Sequence, residues 1–91
     1  MTKHIFTHTV PVDDQRHDFV LAGPDPILHV ACQYGPDGVQ FWYEDKELPY
    51  LTTRTFQVFG TGQPMPDNAI HRGSVVTAGG ALVWHLMELP S

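Results

Sequence analysis

The sequence predicts an all-β domain of about seven short antiparallel strands. They would form a small sandwich or a partly open barrel, with at most one helical turn. Three observations predict this. Eight Pro and eight Gly fall between short segments rich in β-branched and aromatic residues. Within those segments apolar residues recur with a period of two. No segment sustains a helical period. At 91 residues the chain has room for one core, so residues 1–91 read as a single β domain.

The strands follow in order. Residues 3–10 place His4, Phe6, His8 and Val10 on one face and Ile5, Thr7 and Thr9 on the other. Pro11-Val12-Asp13-Asp14-Gln15 is a turn, with Asp side chains able to accept from nearby amides. Residues 17–21 form a second strand, closed by the breaker Gly23-Pro24-Asp25-Pro26. Residues 27–33 form a third, with Leu28, Val30 and Cys32 facing one way. Ile27, His29 and Ala31 face the other, so the strand reads as central or covered on both sides. The turn Gly35-Pro36-Asp37-Gly38 joins it in a hairpin to residues 39–44. There Val39, Phe41 and Tyr43 oppose Gln40, Trp42 and Glu44.

A turn over residues 45–49 leads to a fifth strand, 51–59, with Phe56 and Val58 opposite Thr55, Gln57 and Phe59. Residues 60–73 show no strand pattern, and loops of this length are often functional. One helical turn fits around residues 66–70. Residues 74–78 and 81–89 flank Gly79-Gly80, a pair able to take the positive φ of a tight hairpin. Leu82, Trp84 and Leu86 alternate with Val83, His85, Met87 and Leu89, so the last strand reads as central or sandwiched.

Composition narrows the function. Five Lys+Arg against ten Asp+Glu give a formal charge of −5. That balance argues against nucleic acid or anionic lipid as the partner. No apolar run reaches the length of a membrane span. The opening nine residues are polar and His-rich, without the apolar centre of a signal peptide. One cysteine, Cys32, excludes a disulfide framework and a multi-cysteine zinc site. These features predict a cytoplasmic protein. A standard interface takes about 800 Å², about a seventh of the roughly 5300 Å² surface of such a domain. Size therefore favours a binder over an enzyme with a deep cleft.

The chemistry-bearing residues read mostly as structural. Six histidines (His4, His8, His17, His29, His71 and His85) invite a metal reading. No pair has the i, i+2 spacing that puts two ligands side by side on a strand face. They predict instead a change of behaviour between about pH 5 and 7. Cys32 lies on an apolar face, with His29 at an odd offset, and reads as a small buried hydrophobe. Ser74, His71 and Asp67 form a catalytic set by inventory alone, without a nucleophile elbow. Gly60-Thr61-Gly62 follows a strand, but Gln63-Pro64 comes next with no lysine near, so it is no phosphate loop. Asp13, Asp14 and Asp18 lack the Gly and Glu of a calcium loop. Arg54 and Arg72 are isolated cations near apolar strands, suited to an ion pair or an interface.

Four segments together carry a family resemblance: Val10-Pro11-Val12-Asp13-Asp14, Ile27-Leu28-His29-Val30-Ala31, residues 56–64 with their Phe59-Gly60-Thr61-Gly62 corner, and Leu82-Val83-Trp84-His85-Leu86. In this order they resemble a family of small uncharacterised proteins of actinobacteria and their bacteriophages. The resemblance spans nearly the whole chain and carries no catalytic residue over. It implies a phage-type protein made inside the host cell that engages a host protein.

The expected function is thus a non-enzymatic binding module with no cofactor and no metal. Its candidate contact residues are Trp42, Gln63, Met65, Pro66 and Arg72. Two alternatives stand beside it. One is a virion or assembly component that self-associates through strand edges. The other is a metal binder or enzyme built on the histidines.

Overall fold

The computed structural model describes residues 3–21, 26–33, 37–45, 51–77, 80 and 82–90. They form seven antiparallel strands: β1 (His4–Pro11), β2 (His17–Leu21), β3 (Ile27–Ala31), β4 (Gly38–Asp45), β5 (Thr52–Gly60), β6 (Ile70–Val76) and β7 (Val83–Leu89). A three-stranded sheet has the order β1-β4-β3 and a four-stranded sheet the order β2-β5-β7-β6. Among the described residues no barrel closes, and the two sheets fit the expected small sandwich or partly open barrel. The breaker after β2 and the tips of the β3–β4 and β4–β5 turns lie outside the described residues, as does Gly79.

The core forms where the alternating apolar faces meet. Val39, Phe41 and Tyr43 of β4 point inward, as their spacing predicts, beside Val10, Leu21, Phe56, Val58, Val75 and Leu86. Aromatic rings join the sheets. Phe41 stacks on Phe56 at 4.7 Å between centroids, and Phe19 meets Phe41 edge-on at 5.5 Å. His8 of β1 lies against Phe19 of β2 at 4.8 Å and Tyr43 of β4 at 5.2 Å. Its Nε2 is 3.0 Å from the Tyr43 hydroxyl. Burial pushes the His8 imidazole below its usual value. Burial, with Asp45 nearby, pushes the Tyr43 phenol up. A neutral His8 therefore accepts from a Tyr43 that keeps its proton.

Two β-bulges depart from simple alternation, both on edge strands. In β3, Ile27 pairs with Tyr43 and His29 with Trp42, so Leu28 is the extra residue. The bulge turns Ile27 inward with Val30 and Cys32, and leaves Leu28 43% exposed. The expected grouping of Leu28 with Val30 and Cys32 on one face is thus corrected. So is the expected central position of β3, which ends its sheet. In β6, His71 pairs with Met87 and Gly73 with Leu86, so Arg72 is the extra residue. The expected strand at residue 74 begins instead at Ile70, where the bulge hides the period of two. The long loop shrinks to residues 61–69. Its expected helical turn is a reverse turn, in which the Ala69 amide donates to the Pro66 carbonyl at 3.1 Å. Strand β7 lies between β5 and β6, the central position that its two apolar faces predict.

The bulge at Arg72 turns its guanidinium toward Glu88. Arg54 reaches the same carboxylate from β5, with Nε and Nη2 at 2.8 and 2.7 Å. Arg72 Nε and Nη2 lie 2.9 and 2.8 Å from Oε1. Burial pushes the Glu88 carboxyl up, but hydrogen bonds and charge from Arg54 and then Arg72 outweigh it. The net effect holds Glu88 below the usual carboxylate range. Next to the bulge, Gly73 sits under β3. A Cβ there would lie 2.6 Å from Val30 Cγ2. The sheets approach closely enough at this point that only a glycine fits.

These contacts set three expectations. Glu88→Gln removes the carboxylate charge that Arg54 and Arg72 share and costs about 3 kcal/mol in chemical denaturation. Glu88 adds stability above its unfolded pKa and loses it as pH falls through its lower folded pKa. The variant should therefore also flatten the acid limb of stability below about pH 4. His8 acts higher on the pH scale. The unfolded chain takes up the proton first as pH drops below about 6.5, so stability declines there until the folded value is reached. Melting curves of His8→Phe should lose that slope, and an unchanged slope would assign it elsewhere. Gly73→Ala should destabilise by about 1–3 kcal/mol through overpacking. Adding Val30→Gly should restore part of the loss, since it removes Val30 Cγ2 and Cβ, which would lie 2.6 and 2.7 Å from the new Cβ.

Candidate functional site

Two surfaces carry side chains with chemical or recognition potential. The first is the outer face of the three-stranded sheet. Cross-strand register sets Thr7, Trp42 and His29 in one row, with Trp42 in the centre. The indole lies 5.4 Å from the His29 ring. Ile5, opposite Glu44 in the next row on this face, is 63% exposed. Thr9 and Ala31 flank Gln40 in the row on the other side. Gln40 is buried at 2% exposure, because its amide is used internally. Its Oε1 accepts from the Gln33 amide at 2.6 Å and its Nε2 donates to Thr9 Oγ1 at 3.4 Å. That bond holds the end of β3 against β4.

The expected contact residues do not form one patch. Trp42 lies on the outer face of the three-stranded sheet. Gln63, Met65 and Pro66 lie in the loop after β5, and Arg72 lies in β6, both parts of the four-stranded layer. Gln63 is a structural clasp. Its Oε1 accepts from the Gly60 amide at 3.0 Å, and its own amide donates to the Gly60 carbonyl at 3.1 Å. Its Nε2 reaches Asp14 Oδ1 at 3.2 Å, tying the corner to the turn before β2. Asp14 sits there at φ 60°, a conformation Asp tolerates better than most residues. The Pro66 carbonyl closes the reverse turn, and Arg72 is bound to Glu88. Among the described residues, the side chains of Trp42, Met65 and Pro66 serve no hydrogen bond or ion pair.

The second surface is a polar chain on the outer face of the four-stranded sheet. Ser74 Oγ lies 2.7 Å from His71 Nε2 and 2.7 Å from His85 Nδ1. His85 Nε2 lies 2.9 Å from Thr61 Oγ1, and the two imidazoles are 6.2 Å apart. Ser74 and His85 are direct cross-strand partners. His71 joins them only because the bulge shifts it onto their face, since residues three apart on a regular strand point oppositely. Ser74 has one proton and lies between two imidazole nitrogens, so one imidazole accepts from it while the other donates to it. Ser74 and His71 do meet, as the inventory hinted, but the third member is His85 rather than Asp67. Asp67 lies exposed in the turn at residues 66–69.

Other candidates resolve simply. Burial pushes the Cys32 thiol up, away from the reactive thiolate. Asp13 is held below the usual carboxylate range, first by its hydrogen bond from His17 and against the opposing effect of burial. Asp18 accepts from the Thr55 hydroxyl at 2.6 Å. Among the described residues no three His, Cys, Asp or Glu side chains gather as a metal site would need. No helix among the described residues is long and apolar enough to cross a membrane.

Residues 1–91 match the family described as "Domain of unknown function (DUF7352)", so the chain belongs to that family over its whole length. No curated protein and no solved structure matches it.

Proposed function

We propose that the chain is a small binding module that holds a partner protein rather than turning over a substrate. The partner is a protein of an actinobacterial host cell, met in the cytoplasm, and the chain is phage-type, as the resemblance of its sequence implies. The observation that carries this reading is the outer face of the three-stranded sheet. Trp42 is centred there between Thr7 and His29, with exposed Ile5 in the neighbouring row. Tryptophan is a favoured interface anchor, and an apolar centre rimmed by Thr, His and Glu has the layout of a contact patch. The loop at residues 61–69 supports it less, because Gln63 and Pro66 spend their polar groups inside the fold.

The experiment is affinity capture from actinobacterial lysate with the folded protein, its Trp42→Ala and Ile5→Asp variants, and Met65→Ala. Ile5 is exposed, so its substitution should leave the melting temperature almost unchanged. One captured protein should be lost with Trp42→Ala and Ile5→Asp and kept with Met65→Ala. Capture that survives both face variants overturns the assignment of this face. Loss with Met65→Ala alone moves the contact to the loop. No capture, together with a discrete oligomer by light scattering, favours self-assembly through strand edges.

A further inference from the structure

We propose that Ser74 is a nucleophile that accepts an acyl group from an activated ester, with His85 as its base. The site stands apart from the Trp42 face, so it goes beyond the binding reading and fails or holds independently of it.

The geometry supplies each part. An effective nucleophile needs a base within hydrogen-bond reach, and that base needs a third group to orient it. His85 Nδ1 is 2.7 Å from Ser74 Oγ, and its Nε2 is held 2.9 Å from Thr61 Oγ1. With Nε2–H donating to Thr61, Nδ1 is left as the acceptor of the serine proton. His71 Nε2–H, 2.7 Å away, then donates to the same oxygen and steadies the charge that grows as the proton leaves. Thr61 belongs to the corner that Gln63 clasps, so the orienting group is itself fixed. The bulge at Arg72 brings His71 to this face, and bulges commonly re-aim side chains beside reactive sites.

The substrate class follows from the surroundings. The next outward-facing pair on these strands is Val76 and Val83, with Val76 64% exposed. They form an apolar strip beside the serine that suits a short acyl chain better than a charged group. In the reaction, Ser74 Oγ attacks the ester carbonyl and a new O–C bond forms. The bond from that carbon to the leaving alcohol oxygen breaks. The serine proton passes to His85 Nδ1 and from there to the departing oxygen. The products are an acyl-serine and the free alcohol. The group behind His85 is a neutral hydroxyl rather than a carboxylate, which favours one acylation over rapid turnover.

The test uses a fluorophosphonate probe on the untagged protein. Attack by Ser74 forms an O–P bond, the P–F bond breaks, and fluoride leaves with the serine proton released through His85. The sequence holds two serines, Ser74 and Ser91, so peptide mapping by mass spectrometry locates the adduct without ambiguity. The expected result is a single adduct on Ser74 that is absent in Ser74→Ala. His85→Ala should slow labelling at least about a hundredfold, as loss of a positioned base does. Thr61→Val should slow it less, because it removes only the orienting group. Circular dichroism checks that each variant keeps its sheet content. Two results overturn the proposal: no adduct on the folded native protein, or labelling of Ser74 that His85→Ala leaves unchanged.

Discussion

The single extra residue in β6 is the constraint from which much of the molecule follows. By inserting Arg72, the chain resets which way every residue before it points. Gly73 is then left facing Val30 of the opposite sheet, where a Cβ would sit 2.6 Å from a methyl group. The two sheets therefore approach closely where one edge strand, β6, packs against another, β3. Arg72 enters the same end of the sandwich and shares Glu88 with Arg54. On the outer side, the reset brings His71 onto the face of Ser74. One insertion thus links packing, a half-buried ionic cluster and a polar chain. Strand β3 answers with its own bulge at Leu28. Irregular edges of this kind also discourage open-ended strand pairing between molecules.

The half-buried cluster raises the question of why a small domain places charge so close to its core. Replacement of such clusters by apolar groups is often neutral or stabilising in other proteins. Here Arg54 lies over the Phe56 ring at 5.6 Å, so its guanidinium is held by an aromatic face as well as by Glu88. Two guanidinium groups on one carboxylate fix the relative register of β5, β6 and β7, because each comes from a different strand. An apolar substitute would pack without choosing a register. The carboxylate's low pKa follows from that arrangement, and it makes the end of the sandwich an acid-sensitive point.

Much of the fold was legible in the sequence, because strand alternation and turn residues are local signals. Val39, Phe41 and Tyr43 announce an inward face, and the two apolar faces of β7 announce a central strand. A hairpin centred on Gly79-Gly80 sets Ser74 opposite His85 by simple counting, and the flanking pair Thr77 and Leu82 is symmetric about that centre. The polar chain was therefore half-readable: the partner of Ser74 lay in the register and not in the nearby Asp67. The bulges were not readable. A one-residue insertion reverses every face beyond it while leaving composition untouched, so Leu28 looked like a face-mate of Val30 and Cys32 and residues 70–73 looked like loop. The roles of Gln63 and Gln40 were hidden for another reason. A glutamine that clasps backbone amides across a corner or between strands leaves no period in the sequence.

Charge placement sharpens the argument about what this surface meets. The chain has five cationic residues, and two of them, Arg54 and Arg72, are bound to Glu88. A third, Lys3, lies 3.4 Å from Glu44 at the edge of the Trp42 face. Nucleic-acid binding draws its affinity from many phosphate contacts, each needing an outward cation. A domain of net charge −5 that turns two of its five cations to an internal carboxylate is poorly equipped for that. The pairing of Lys3 with Glu44 also lowers the charge density beside Ile5 and Trp42. If this face binds a partner as proposed, recognition there would rest on burial of the indole and isoleucine and on directional bonds from Thr7 and His29. Such a face discriminates by shape and desolvation rather than by long-range attraction. Its association rate should accordingly depend little on ionic strength.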